Sequence, residues 1–320
     1  MRPRQSQFAI AAVFLLLSAF SSAQAKKFAI APERAFLGRW DLTLKSAERE
    51  YPSWLEITQD GGQYKARLVS RWGHARQLPK LELDGTRIMF VSPKEEEDRK
   101  DDMVFEGKIV GNQLVGNTTG QDGSPWSWMG QRAPSLKKKG APKWGKPIQL
   151  FDGKSLAGWK SVDPSAKVSW SVQDGALLSP GHGPELETDA KFQDFKLHIE
   201  FNCPKGANSG VYLRGRYELQ VENDLEPEAL NQRTGGIYGF LAPTPEAPRT
   251  PGVWQTYDIT LVGRMVTVAL NGKTIIDNQE IPGITGGALD SHEELPGPIY
   301  LQGSEEGHVA YRNISLTPAR

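Results

Sequence analysis

Two short runs near the middle of the chain place ionisable and amide side chains at alternating positions. In the runs 211–214 and 217–222, polar residues alternate with apolar ones, as in β-strands that bury one face. The two residues between the runs predict a tight hairpin. If the apolar residues are buried, Arg214, Glu218 and Gln220 share the other face. These groups would form a floor for a polar ligand, although an exposed sheet face with cross-strand ion pairs has the same pattern.

A third run could add to this surface. Apolar and polar residues alternate over 195–202, and His198 and Glu200 fall on the polar side. If this strand neighbours the hairpin, both side chains join the face that carries Glu218. His198 would then be a candidate acid, because an imidazole titrates near neutral pH, and Glu200 would be a candidate for substrate binding. A lone histidine on a polar face is equally compatible with simple solvation.

Several residues around the hairpin are candidates for binding a ligand. Asn208 opens the first run, although Asn-Ser-Gly is also ordinary turn chemistry. The segment 231–252 is rich in glycine and proline, which predicts a rim loop over the sheet face. Tyr238 and Trp254, near its two ends, could stack on a sugar ring or belong to the core.

A divalent metal is a conceivable cofactor, but no recognisable ligand spacing predicts one. Glu222, Asp224 and the histidines offer donor atoms only. His182 and His292 fall in predicted loops. The single cysteine, Cys203, excludes an internal disulfide. It ends a predicted strand, where a small buried residue is expected rather than a nucleophile.

Composition narrows the class of partner. The 320 residues include 38 basic and 38 acidic side chains, so the formal net charge is zero. Nothing here suggests binding to nucleic acid, which needs a basic excess on one face. Nine tryptophans offer aromatic faces that stack on sugars as readily as they fill cores.

The N-terminus has the pattern of a secretory signal peptide. Two arginines precede the apolar run 8–20, and Ala23-Gln24-Ala25 has the small residues of a cleavage site. The apolar run is too short to predict a membrane span. We therefore expect residues 1–25 to be removed. The mature protein should be exported, to the periplasm or outside the cell, and should lack a membrane span.

The rest of the chain divides into two β-rich regions. Residues 36–134 contain short strand patterns separated by glycine-containing turns, which predicts a small barrel or meander. Their Gly-Arg-Trp opening at 38–40 makes this region weakly similar to lipocalins. The basic, aperiodic segment 135–146 predicts a linker. Residues 147–320 contain many further strand patterns and no convincing amphipathic helix, which predicts a two-sheet sandwich.

Short motifs follow one another in a fixed order from about residue 147 to residue 318. They are Leu150-Phe-Asp-Gly-Lys-Ser-Leu-Ala-Gly-Trp159, Trp170 to Gly175, Thr188 to Phe195, Asn208-Ser-Gly, Tyr217-Glu-Leu-Gln-Val, Gly236-Ile-Tyr238, Trp254-Gln-Thr-Tyr-Asp-Ile, Leu270-Asn-Gly, Leu301-Gln and Tyr311-Arg-Asn-Ile314. This ordered set closely resembles the 3-keto-disaccharide hydrolase family, formerly a domain of unknown function. Where the family often has Trp-Asn, this chain has Trp254-Gln255.

The resemblance implies a concanavalin-like jelly roll for this region and a small saccharide or glycoside as the partner. The N-terminal β-barrel or meander predicted from the strand patterns lies outside the family domain, and together the two regions predict an all-β chain. The resemblance also implies an exported enzyme that cleaves glycosides already oxidised at the third sugar carbon. A ketone there acidifies the hydrogen at C2, so a base can generate an enolate that expels the aglycone from C1, and water then adds back. Glu218 is the expected base, Arg214 the enolate stabiliser and Gln220 a ligand of sugar hydroxyls.

Two other functions are compatible with the same residues. A jelly roll also serves as a non-catalytic carbohydrate-binding scaffold, since a fold does not fix function. An ordinary glycosidase would use Glu200 and Glu218 as paired carboxylates. That pairing needs a separation of roughly 5–5.5 Å for retention or 6.5–9.5 Å for inversion of the anomeric centre.

Overall fold

The computed structural model describes residues 32–94, 99–120, 122–181, 183–223, 229–304 and 307–320. The predicted signal peptide, and with it the expected cleavage site, lies outside these residues. Within them the chain is almost entirely β-structure, and helix is confined to short 3₁₀ turns such as Pro32–Phe36 and Leu230–Gln232. The predicted all-β class is therefore confirmed. None of the helices in the described part of the chain has the length and apolar character to cross a membrane.

The first nine strands form one curled antiparallel sheet, here called the N-terminal sheet. Its spatial order is β4-β3-β2-β1-β9-β8-β7-β6-β5. Leu78, directly after the fourth strand, donates its backbone N–H to the carbonyl of Ala66 in the third strand (2.8 Å), which extends the pairing of these two strands by one residue. The strands are β1 (Gly38–Lys45), β2 (Glu50–Asp60), β3 (Gln63–Val69), β4 (Arg76–Gln77), β5 (Lys80–Asp84), β6 (Arg87–Ser92), β7 (Met103–Val110), β8 (Gln113–Thr119) and β9 (Pro125–Arg132).

The remaining thirteen strands form two facing sheets, here called the sandwich. An eight-stranded sheet has the order β12-β13-β22-β15-β18-β19-β20, with β10 also pairing β22, and a five-stranded sheet has the order β11-β14-β21-β16-β17. The strands are β10 (Ile148–Gln149), β11 (Trp159–Ser161), β12 (Ser171–Gln173), β13 (Ala176–Leu178), β14 (Leu186–Thr188), β15 (Phe195–Asn202), β16 (Asn208–Leu213), β17 (Tyr217–Glu222), β18 (Trp254–Val262), β19 (Met265–Leu270), β20 (Lys273–Glu280), β21 (Tyr300–Leu301) and β22 (Ala310–Pro318).

The core of the sandwich follows from strand alternation. Phe195, Leu197, Ile199 and Phe201 all point from β15 into the space between the two sheets and are buried. The apolar residues of β16 and β17 meet them from the other sheet. Because successive side chains on a strand point to opposite faces, the polar residues of these strands must lie on the outer faces of the sandwich.

The N-terminal sheet is joined to the sandwich by buried side chains. Trp54 of β2 is fully buried and belongs to the sandwich core, where its ring packs edge-on against Phe240 (centroid separation 5.2 Å). Asp41 of β1 lies beside Glu293 at the same join, and Glu293 binds Arg264 through a 2.6 Å ion pair. These contacts hold the N-terminal sheet against the sandwich.

Candidate functional site

A small polar cavity of about 140 Å³ lies on the outer face of the five-stranded sheet. We call it the Glu218 pocket. It brings together four of the side chains predicted from sequence with residues from three other segments. Its lining residues are Trp72, Gly73, Asn208, Tyr212, Glu218, Gln220, Tyr238, Gly286 and Gln302.

Glu218 is held firmly at the floor of this pocket. Its backbone N–H donates to Thr285 Oγ1 (3.0 Å), and its carbonyl accepts from the backbone N–H of Tyr238 (3.0 Å). Only 5% of the residue is exposed. A carboxylate fixed by a strand and by bonds on both sides of its backbone has the rigidity that acid–base chemistry requires.

A glycine on the neighbouring strand makes room for the carboxylate. Gly210 lies one strand away, and an added Cβ there would come within 2.5 Å of Glu218 Oε1 and 2.9 Å of its Cγ. The side chain of Glu218 therefore lies directly over the backbone of β16. Asn208-Ser-Gly is therefore not a turn, as its residue types also allowed, but the start of the strand, and Gly210 makes room for the carboxylate.

Amide side chains supply unsatisfied hydrogen-bonding groups to the pocket. Asn208 Oδ1 and Gln302 Oε1 are buried and have no hydrogen-bond partner in the described part of the chain. Both residues line the pocket beside Gln220, whose own Oε1 accepts from the N–H of Val221 (3.2 Å). Buried polar atoms normally have partners, so these two carbonyl oxygens are suited to accept hydrogen bonds from the hydroxyls of a bound ligand.

Tyr212 adds a neutral hydroxyl next to Glu218. Its ring stacks on Tyr300 at 4.2 Å, and its OH donates to the carbonyl of Gly286 (2.9 Å). Burial raises the pKa of Tyr212 well above its usual value, and the charge of Glu218 together with a hydrogen bond between the two side chains raises it further. Tyr212 therefore stays protonated near neutral pH and can act there as a hydrogen-bond donor.

The N-terminal sheet closes one side of the pocket through the loop that follows β3. Trp72 and Gly73 of this loop line the cavity, and the indole of Trp72 stays 43% exposed. The carbonyl of Arg71 accepts from the N–H of Gly287 (2.8 Å). His74 packs edge-on against Tyr238 at 6.5 Å.

Glycines on the sandwich allow this close approach. A Cβ at Gly286 would collide with the backbone of Gly73, and one at Gly239 would collide with His74. Trp72 was missed from sequence because it lies in a loop without periodicity. The sequence feature that could have indicated its role is the pair Trp72-Gly73, a large aromatic residue beside a glycine in the loop between two strand patterns.

The adjoining wall of the pocket is formed by the segment after Leu230–Gln232. Gly236 accepts from the N–H of Gln220, and Gly235 donates to the carbonyl of the same residue, at 3.0 and 3.1 Å. The segment thus runs along the free edge of β17, and it places Tyr238 in the pocket wall. Isolated bridges from Ile237 to Leu219 and to Leu241 hold the segment in this position.

Arg214 does not join the pocket, so its predicted place beside Glu218 is wrong. It adopts a left-handed backbone conformation, with φ of 56°, and opens a three-residue connection between β16 and β17. Its fully buried side chain donates to Tyr217 OH (2.8 Å) and to the carbonyls of Gly263 (2.9 Å) and Glu293 (3.3 Å). The guanidinium holds distant segments together and does not reach Glu218.

His198, Glu200 and Trp254 lie on the outer face of the eight-stranded sheet, so their predicted place on the surface that carries Glu218 is also wrong. His198 Nδ1 lies 2.8 Å from Asp258 Oδ1. Glu200 accepts from Arg312 (2.7 Å), and the same guanidinium lies 3.9 Å from the centre of the Trp254 ring. The cause is strand order, because β15 pairs with β18 and β22 and not with the hairpin.

The positions of Glu200 and Glu218 exclude their use as the paired carboxylates of an ordinary glycosidase. Glu200 and Glu218 project from the outer faces of opposite sheets, with the apolar core between them. Facing sheets are about 10 Å apart at the backbone, and side chains on the two outer faces point away from each other. The two carboxylates therefore cannot flank one glycosidic bond.

The candidate metal ligands and the cysteine do not form a further catalytic or metal site among the described residues. Among the described residues, no group of three His, Cys, Asp or Glu side chains could hold a metal ion. His182 and Asp224 lie outside those residues. Cys203 is buried as expected, and burial raises the pKa of its thiol to about 12, which makes it a poor nucleophile.

Comparison with known proteins gives a consistent assignment. Residues 146–317 match the family described as 3-keto-alpha-glucoside-1,2-lyase-like domain. A 3-keto-disaccharide hydrolase of Bacteroides thetaiotaomicron is 24% identical, and the match covers 41% of this chain and 57% of that relative, so the chain spans little more than half of its length.

Solved structures match the same part of the chain. A Parabacteroides distasonis protein with the provisional name glycosyl hydrolase is 30% identical, with a TM-score of 0.47 and coverage of 56% of this chain and 92% of that one. A family GH16 endo-beta-1,3(4)-glucanase is 12% identical, with a TM-score of 0.36 and coverage of 59% and 94%. Because the family match spans more than half of the 320 residues, this chain belongs to the family of the 3-keto-alpha-glucoside-1,2-lyase-like domain.

Proposed function

We propose that the chain cleaves glycosides already oxidised to a ketone at C3, by elimination across C1 and C2 in the Glu218 pocket. The observation that carries this proposal is the buried carboxylate of Glu218, fixed on a strand and surrounded by uncharged hydrogen-bonding groups. The membership of the family supports the choice of a keto-sugar and of 1,2-elimination.

The first step is proton removal from C2 by Glu218. The electron pair of the C2–H bond moves into the C2–C3 bond, and the C3 carbonyl becomes an enolate. That enolate then re-forms the ketone while the C1–O bond breaks, and the leaving oxygen takes a proton, which Glu218 is placed to return. The sugar product has a C1=C2 double bond, and addition of water across that bond gives the free 3-keto-sugar.

Neutral donors in the pocket would stabilise the enolate. Because the guanidinium of Arg214 is bound in the protein interior, the side-chain NH₂ groups of Asn208, Gln220 and Gln302 would take over its role. Donors fixed before the reaction stabilise a developing negative charge at little cost in reorganisation.

The substrate is expected outside the cytoplasm. The signal-peptide pattern at residues 1–25 supports export, and we include periplasmic or extracellular location in the proposal. N-terminal sequencing of the protein recovered from the source cell would test it. A mature chain that begins at Lys26 is the expected result, and an intact Met1 start would contradict export.

The central experiment compares a 3-keto-disaccharide with its unoxidised parent, for wild-type protein and for Glu218→Gln. We expect turnover of the keto-sugar alone and a loss of about 10²–10⁴-fold in kcat for Glu218→Gln, as for removal of a general base. Mass spectrometry in H₂¹⁸O and exchange of the C2 hydrogen in D₂O report the elimination directly.

A matched carboxylate provides the control. Glu200→Gln removes the same charge from the outer face of the other sheet and should leave kcat unchanged within about twofold, because Glu200 projects from the opposite side of the sandwich. Turnover of the unoxidised parent, or C2 hydrogen retained without exchange, would contradict the mechanism. Saccharide binding without any turnover would favour a carbohydrate-binding protein.

A further inference from the structure

A row of aromatic and cationic groups leads away from the Glu218 pocket along the N-terminal sheet. The Arg71 guanidinium lies 4.9 Å from the ring centre of Trp72 and 4.6 Å from that of Tyr51. Tyr51 in turn stacks on Trp126 with a 5.1 Å centroid separation and a 16° tilt. We call these four residues the aromatic row. It begins in the wall of the Glu218 pocket and ends at a second cavity.

The second cavity, here called the N-terminal cavity, has a volume of about 210 Å³ and lies within the N-terminal sheet. Leu44, Met103 and Phe105 give it an apolar base, and all three are buried. Tyr51 and Trp126 form its aromatic side. The segment 70–71 lines this cavity, and the next two residues line the Glu218 pocket, so the two cavities share one loop as a common wall.

The chemistry of the N-terminal cavity favours an aromatic ring over a sugar. Several of its polar groups already have partners: Ser53 Oγ donates to the carbonyl of Val69 (2.6 Å), Trp126 Nε1 to Ser124 Oγ (3.1 Å), and Ser124 Oγ to Asp122 Oδ1 (2.6 Å). The guanidinium groups of Arg49 and Arg71 both lie over the ring of Tyr51, at 5.0 and 4.6 Å from its centre. Ring faces, apolar side chains and guanidinium planes suit a planar aromatic group.

The size also fits. A dry cavity of about 150 Å³ lined by apolar side chains holds a benzene molecule. At about 210 Å³ the N-terminal cavity is larger than that, so it can accept one substituted ring. A group leaving the sugar in the Glu218 pocket would meet Trp72 first and could then extend along the aromatic row.

We propose that the aromatic row and the N-terminal cavity form a binding site for a single-ring aromatic aglycone, attached to the sugar that occupies the Glu218 pocket. This inference rests on the proposed function for the role of that pocket. It gives the N-terminal sheet a part in choosing the leaving group. No bond is made or broken in this site.

The test uses two 3-keto-glucosides, one with a phenyl and one with a methyl aglycone, and the full mature chain. Trp126→Ala removes the far end of the aromatic row. We expect it to raise KM about 3- to 10-fold for the phenyl substrate, the scale of one lost ring contact, and to leave KM for the methyl substrate and both kcat values unchanged. Trp126→Phe keeps a ring and should restore the phenyl KM.

Trp254→Ala is the matched control, since it removes a tryptophan from the outer face of the other sheet. It should change neither KM. If Trp126→Ala melts below the assay temperature, the pair Trp126→Phe and Trp126→Leu replaces it, and loss of phenyl preference in the leucine variant alone supports the site. Equal effects of Trp126→Ala on both substrates, or no effect on either, would overturn the proposal.

A binding measurement separates this proposal from the proposed function. Calorimetry on Glu218→Gln protein with the phenyl and methyl compounds should show tighter phenyl binding that depends on Trp126, and a cyclohexyl aglycone should bind less tightly than phenyl. Trp126-dependent phenyl preference with no turnover by the wild type would sustain the aglycone site and reject the elimination. Turnover of both compounds without any phenyl preference in binding would support the elimination and reject the aglycone site.

Discussion

The strands on the two outer faces of the sandwich have the same alternation of polar and apolar residues, but their polar side chains lie in different environments. On the eight-stranded sheet, His198, Glu200 and Trp254 stay partly exposed and pair with Asp258 and Arg312. On the five-stranded sheet, Glu218 and Gln220 are almost fully buried. The first face has the surface ion pairs that contribute little to stability. The second has become a pocket.

The two faces differ in the chain segments that cover them and not in the pattern of their strands. The outer face of β17 lies beneath the loop 71–74 from the N-terminal sheet and beside the segment 234–241. Enclosure removes water, so each hydrogen bond in the pocket counts for more than it would on an open face. Polar residues on a strand therefore become a chemical site only when another part of the chain encloses them.

The largest expected effect is a loss of stability on substitution of Trp54, which anchors the N-terminal sheet in the sandwich core. Trp54→Ala deletes a fully buried indole that packs on Phe240, beside the pocket wall. We expect a loss of about 3–5 kcal/mol in the free energy of unfolding, measured by urea denaturation. Trp254→Ala on the open face should cost less than about 1 kcal/mol. Equal losses for the two tryptophans would remove the distinction between the faces.

A smaller effect should appear as a dependence on pH at the join between the N-terminal sheet and the sandwich. Burial and the adjacent Glu293 raise the pKa of Asp41 to about 9, so the folded chain keeps a proton there that the unfolded chain loses near pH 4. Stability contributed by this proton is present below that lower value and is lost as pH rises towards 9.

Asp41→Asn should therefore raise the free energy of unfolding at pH 8 by about 2–4 kcal/mol and change it little at pH 4. Urea denaturation across that range measures both values. An identical pH slope for wild type and Asp41→Asn would show that Asp41 is ionised in the folded chain.

The smallest of the three effects concerns the fit of the catalytic side chain. In Gly210→Ala the new Cβ would press on the Glu218 carboxyl, and a displacement of about 1 Å can cost up to 10²-fold in rate. We expect kcat to fall about 10- to 100-fold with a normal circular dichroism spectrum. His198→Ala should leave kcat within about twofold. A folded Gly210→Ala protein with full kcat would mean that the carboxylate does not act from this position.

The sequence was sufficient wherever the relevant pattern was local. Alternation placed Glu218 and Gln220 on the outer face of β17, and the glycine-containing turns located most hairpins, because both follow from the geometry of neighbouring residues. The same reasoning failed at Arg214, since the hairpin connection begins at that residue and its left-handed conformation ends the alternation. Its partners, Gly263 and Glu293, are far away in sequence.

The sequence was insufficient wherever strand order or cover decided the outcome. His198 and Glu200 lie on the predicted face of their own strand but on the wrong sheet, because pairing between β15 and β18 joins segments about 60 residues apart. Trp72 was missed for a similar reason. Its place in the pocket depends on how the N-terminal sheet docks onto the sandwich, and no short pattern records that.

The position of the loop 71–74 is fixed by contacts of its backbone and not by the side chain at position 72. The loop is fixed through the carbonyl of Arg71, which accepts from the N–H of Gly287, and through glycines that face its backbone. None of these contacts depends on the indole of Trp72. Position 72 is therefore a natural site for diversification: relatives or designed libraries could exchange that side chain to accept different leaving groups and keep the same loop framework.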